Sequence, residues 1–105
     1  MQPTPRLQQL ENFLKEDPND TFLLFAIAKE YEYGEDLARA LEFYLKLKNT
    51  DAHYVGLYYH LGKLYARQNE TDLAIETYET GMRVSKTAND THAFNELRGA
   101  LDEII

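Results

Sequence analysis

No cysteine occurs among the 105 residues of this chain, which excludes a disulfide framework, a thiolate metal site and a cysteine nucleophile together. Tryptophan is absent too, so bulky packing falls to eight tyrosines and five phenylalanines, rings expected mostly in the core. Positive charge is scarce: 11 Lys and Arg face 18 Asp and Glu, a net charge of −7. That balance repels phosphate backbones and anionic lipid, so neither nucleic acid nor membrane is an expected partner. No apolar run approaches the length of a membrane span. Met1-Gln2-Pro3-Thr4-Pro5-Arg6 carries no apolar leader, and a soluble, cytoplasmic protein is expected. A glycine-rich phosphate loop is missing. Ser85, the one serine, has no base or orienting acid in view, so a hydrolytic triad is not expected. No cofactor, no metal and no catalysis are anticipated.

What the chain does have is helical periodicity throughout, with no strand-like alternation. The length suits one domain. Thr4-Pro5 predicts a helix start, Thr4 as cap and Pro5 in the first turn. Leu7, Leu10, Phe13 and Leu14 make its stripe, and Asp17-Pro18-Asn19-Asp20 ends it. A second helix runs from Thr21 to Tyr33 with Leu24, Ile27, Ala28 and Tyr31 inward. A third spans Leu37 to about Lys48 and carries Ala40, Leu41, Tyr44 and Leu47. Asn49-Thr50-Asp51 breaks the pattern, and Asp51 is read as cap of a fourth helix over about Ala52 to Arg67. A fifth is predicted from Thr71 to about Lys86. The last follows Asn89-Asp90, with Phe94, Leu97, Leu101 and Ile104 on one stripe. Connections this short make sequential helices antiparallel neighbours.

The chain also repeats itself. A shift of 34 residues lays Thr21–Tyr54 on Val55–Ala88: Lys29 meets Lys63, Tyr31 meets Tyr65, Ala40 meets Ala74, Glu42 meets Glu76 and Tyr44 meets Tyr78. Small residues fall opposite small ones, Ala28 with Gly62, where close backbone approach needs them. A helix–turn–helix period of this length, with this order of residue types, resembles the tetratricopeptide repeat (TPR) family. The resemblance implies an all-α fold of six helices, a right-handed stack of antiparallel helix pairs forming an α–α superhelix. Residues 4–17 become an N-terminal half-repeat helix, 21–54 the first repeat, 55–88 the second and 90–105 a C-terminal capping helix. In the cap, strict register would put Glu96 in the small-residue slot. A two-residue shift instead seats Phe94, Leu97 and Leu101 in the large slots and leaves Arg98 in the small one. Arrays of this kind end in helices with a polar outer face. Gly81 inside the fifth helix costs about 0.5–1 kcal/mol relative to Ala, and close contact with the following helix is the expected compensation.

In this family the first helices of successive repeats line a concave groove that binds extended peptides. Carried over, the groove positions are Phe22, Phe25, Lys29 and Tyr33, then Gly56, Tyr59, Lys63 and Arg67, with Asn95 on the cap. Spacing agrees: Phe25/Lys29/Tyr33 and Tyr59/Lys63/Arg67 each run i, i+4, i+8 along one helix face beside the packing stripe. A basic, aromatic strip in an acidic chain fits an extended, acidic peptide segment of a partner protein. The bland alternative is solvated lysines beside partly buried rings, the better reading for Phe22. The lysine–asparagine set with which some family members grip a terminal carboxylate is not reproduced. Lys29 stands where Asn is expected, Phe25 where Lys is, and His60 where a second Asn is. His53 and His60, read on one helical face, stand about 10 Å apart along the axis, too far to share an ion. Two functions follow: an adaptor holding another protein, or a self-assembly module, possible homo-dimer, stacking through the helix at Leu7–Leu14 and the apolar Ile104-Ile105 end.

Overall fold

A computed structural model describes residues 4–105, and the reading of Met1-Gln2-Pro3 as free of an apolar leader lies outside them. The described residues form six helices: α1 (Pro5–Glu16), α2 (Thr21–Tyr33), α3 (Leu37–Thr50), α4 (Gly56–Arg67), α5 (Thr71–Thr87) and α6 (Thr91–Asp102). None is long and apolar enough to cross a membrane.

Four helices start on a side-chain cap. Thr4, Asp20, Asp36 and Asp90 accept from the backbone N–H of Leu7, Leu23, Arg39 and Ala93, at 3.0 to 3.2 Å. Each bond satisfies a donor that the first turn otherwise leaves unpaired. Three turns need a residue in left-handed backbone space, and non-glycine residues supply it: Glu35 at φ 61°, Asn69 at 61° and Asn89 at 57°. Glu35 and Asn69 stand one repeat apart. Gly34, just before Glu35, keeps a negative φ of −81°.

One boundary departs from expectation. Asp51 does not start α4; its N–H donates to the Leu47 carbonyl at 2.8 Å and closes α3. Thr50, still helical, turns its hydroxyl back to the Lys46 carbonyl at 2.8 Å. An aspartate between two helices serves either end, and the backbone carbonyls of α3 claim it first. Residues 52–55 form a turn, and α4 begins at Gly56 without a side-chain cap. His53 consequently lies outside the helix that holds His60, so the two do not share a helical face.

The chain divides into two compact units, the first reaching Ala52 and the second running from His53 to Ile105. In the first, Leu24, Ile27, Ala28 and Tyr31 of α2 are buried along with Ala40, Phe43, Tyr44 and Leu47 of α3. Leu41 is only half-buried; Phe43 takes that role and stacks on Tyr31, ring centroids 5.7 Å apart. Helix α1 buries Leu7 fully, while Phe13 stays 49% exposed. It is tied down instead by Tyr31, whose hydroxyl donates to Glu11 Oε1 at 2.6 Å and accepts from Arg39 at 3.4 Å. One phenol thus joins three helices.

The second unit is closed by reciprocal ring-and-notch contacts. A Cβ placed on Gly62 of α4 would overlap the Tyr78 ring of α5. A Cβ on Gly81 of α5 would lie 2.5 Å from Tyr58 Cβ of α4 and 3.0 Å from Leu97 Cδ1 of α6. The compensation for Gly81 therefore comes from the helix before it as well as the one after. On α6, Leu97, Ala100 and Leu101 are buried, Phe94 is half-buried and Arg98 is exposed. Ile104 falls just beyond the helix, half-buried.

Burial raises the Tyr44 hydroxyl well above the ordinary phenol range, helped by its 2.6 Å bond to Glu32. Tyr78 is pushed up to about 12, first by burial, then by Tyr59 and Glu103. A phenol with a raised folded pKa favours the native state equally at every pH below about 10. Above that, the unfolded chain ionises first and native stability falls.

Two outcomes are expected. Gly62→Ala and Gly81→Ala each lose about 1–3 kcal/mol through overpacking, whereas Gly99→Ala gains about 0.5–1 kcal/mol, because a Cβ there meets nothing within 4 Å. Urea unfolding of the three variants checks the opposite signs. In alkaline titration the protein loses stability from about pH 10 upward. Tyr78→Phe, near neutral at pH 7, removes a share on the order of 2 kcal/mol of that loss by pH 12, read as thermal midpoint against pH.

Candidate functional site

The packing face of each first helix decides what the neighbouring face can present. In α2, burying Leu24, Ile27, Ala28 and Tyr31 turns Phe25, Lys29 and Tyr33 to its flank. In α4, burying Tyr58, Leu61 and Gly62 does the same for Tyr59, Lys63 and Arg67. The two flanks carry one device. Lys29 Nζ sits 5.5 Å from the Phe25 ring centroid, and Lys63 Nζ sits 5.5 Å from that of Tyr59. An ammonium within about 6 Å of a ring face is held by the ring quadrupole, worth about 0.5–1 kcal/mol at such sites. All four residues are half-buried. Each cation is steadied by its own helix and keeps its N–H donors for an anion.

In the first unit this flank borders a hollow of about 300 Å³ lined by Arg6, Phe22, Phe25, Lys29, Glu30 and Tyr33. Phe25 is braced from behind by Tyr44, ring centroids 6.3 Å apart. Tyr33 is 77% exposed and Phe22 64%, so both rings stand open rather than serving the core. Arg6 and Glu30 were not foreseeable from the sequence. Arg6 arrives from α1 and places Nε 2.8 Å from Glu30 Oε1, a meeting that only the packing of α1 on α2 produces.

In the second unit Tyr59 also meets His60 edge-on at 5.7 Å. Arg67 is exposed at the end of α4, and Asn95 is exposed on α6. The structure thus brings Phe25 to Lys29 and Tyr59 to Lys63, adds Tyr33 to the first pair's hollow, and leaves Asn95 on a separate helix. Among the described residues no three His, Asp or Glu side chains gather where a metal would be held. His92 Nε2 lies 3.4 Å from Glu96 Oε1 on the surface. Ser85 is fully buried, and its Oγ has no hydrogen-bond partner among the described residues.

Comparison with known proteins matches residues 55–87 to the family model described as tetratricopeptide repeat. A tetratricopeptide repeat domain protein from Salinibacter ruber, solved by NMR, is 41% identical over 84% of this chain and 89% of its own, with a TM-score of 0.79. YrrB, described as a TPR protein with an unusual peptide-binding site, shares the fold. Its TM-score is 0.67 at 18% identity, over 90% of this chain and 56% of that one. A vacuolar protein sorting-associated protein 41 homolog from Danio rerio is 38% identical over 47 residues, 45% of this chain. The chain spans only 6% of that protein's length.

Proposed function

This chain belongs to the tetratricopeptide repeat family, and from that premise we propose that it is a protein–protein interaction adaptor whose first helices grip an extended, acidic segment of a partner. The observation that carries the reading is the recurrence of one pair, a lysine over an aromatic ring at 5.5 Å, at equivalent positions of both repeats. Packing alone gives no reason to keep a cation there twice in a chain of net charge −7. Lys29 and Lys63 donate charge-assisted hydrogen bonds to the partner's carboxylates. Phe25 and Tyr59 give contact area beneath them, and Tyr33 and Arg67 extend each stripe toward the helix end. Phe22 joins as an open ring beside Phe25. Asn95 is proposed to add a polar contact from α6.

Self-assembly through the terminal helices is the competing reading, favoured by the exposed Phe13 of α1 and by Ile105, 74% exposed. Mutual repulsion between acidic copies opposes it. Light scattering over a concentration series separates the two, a constant monomer mass supporting the adaptor.

The adaptor reading is tested by titrating labelled acidic peptides against the wild type and a Lys29→Ala/Lys63→Ala variant. Loss of two charge-assisted contacts on half-exposed side chains, about 1 kcal/mol each, weakens binding roughly thirtyfold. Added salt weakens the wild type most. Equal affinity of the two proteins would discard the proposal.

A further inference from the structure

Helix α4 receives α5 on the face that carries Tyr58, Gly62 and Tyr65, with the Tyr78 ring lying in the Gly62 notch. The corresponding face of α6 carries Phe94, Arg98 and Leu101, spaced i, i+4, i+7. Leu101 is buried at its inner edge, Phe94 is half-buried and Arg98 is exposed. Two adjoining hollows of about 360 and 310 Å³ open there between α5 and α6, sharing Lys86 and Phe94. Their apolar lining is Met82, Phe94 and Leu101.

Charge on this face runs against the rest of the chain. Arg83 and Lys86 line the α5 side and Arg98 stands exposed on α6. Glu79 is the carboxylate on the α5 side, and Asp90 at the far end is engaged in capping Ala93. Ser85 lines the same place, and its buried Oγ has no hydrogen-bond partner among the described residues.

We propose that this face docks an amphipathic α-helix of another protein, its apolar stripe laid on Met82, Phe94 and Leu101 and its acidic flank against Arg83, Lys86 and Arg98. The shape is that of a site built for a helix, because the same face one repeat earlier holds one. Arg98 sets the selectivity. Where α4 offers a glycine notch to a tyrosine, α6 offers a guanidinium, which calls for a carboxylate on the guest. A second copy's α1 is a poor occupant, since two periods before Tyr78 it presents Leu10, an aliphatic group, to Arg98.

The probe is a synthetic helical peptide of about four turns, with leucines at i, i+3, i+4 and i+7 and glutamates on both flanks. Its control carries lysines in place of the glutamates. The expected result is binding of the glutamate peptide alone, with NMR shifts at Met82, Phe94 and Leu101. Arg83→Glu/Lys86→Glu, and independently Arg98→Glu, weaken it about tenfold or more and admit the lysine peptide. Lys29→Ala/Lys63→Ala leaves it unchanged, which separates this face from the stripes on α2 and α4. Equal binding of both peptides, or shifts confined to α2 and the Tyr59 side of α4, overturns the proposal. Concentration-dependent dimers that Arg83→Glu/Lys86→Glu dissolves would assign the face to a second copy and overturn it as well.

Discussion

The reciprocal exchange of rings and glycines between α4 and α5 is the constraint from which the second unit's surface follows. Tyr78 occupies the space a side chain at Gly62 would need, and Tyr58 with Leu97 occupies that of Gly81. Because each helix gives both a ring and a notch, the pair cannot slide without driving a ring into a backbone. With rotation fixed, the face of α4 beside the notch is fixed too. Lys63 and Tyr59 lie on the flank because Gly62 and Tyr58 take the packing face. The hydrophobic burial is large and non-directional; the two glycines give it an orientation.

In the first unit a polar device does comparable work. Ala28 and Ala40 are both fully buried, but α1 lacks a matching ring and notch. It is held by Leu7, by the hydroxyl of Tyr31 on Glu11, and by Arg6 on Glu30. A hydrogen bond from a phenol to a carboxylate is short and directional, worth about 1.5–3 kcal/mol. It anchors a helix whose apolar face is only partly covered. The same packing carries Arg6 to the rim of the hollow beside Lys29, so the attachment of α1 also adds to the charge of the candidate site.

Much of this architecture was legible in the sequence because periodicity and cap chemistry agree. Thr21–Tyr33 is delimited by Asp20 on one side and Gly34 on the other, and its buried positions follow from spacing. The flanking stripes were legible for the same reason, since i, i+4 spacing on a helix fixes a face once the packing face is known. The start of α4 was not, because Asp51 is chemically suited to cap either neighbour and only the claim of the Leu47 carbonyl decides. Arg6 and Glu30 were hidden for a different reason: their meeting joins separate helices, and no local signal encodes it. Ser85 reads in sequence as one more helical residue; its unmet hydroxyl is a property of packing alone.

Packing accounts for the small residues of the repeat and not for its cations. A position that only supports the stack is free to recur as Ala or Gly, as at residues 28, 40, 62 and 74. A lysine recurring at 29 and 63 supports nothing in the core, since its ammonium rests on the outer side of a ring. Arg98 is the complementary case: it stays exposed on α6, at the position that the shifted register of the cap reads as the small-residue slot. Packing requires neither the repeated lysine nor the exposed arginine. Both suit the proposed recognition of a negatively charged partner.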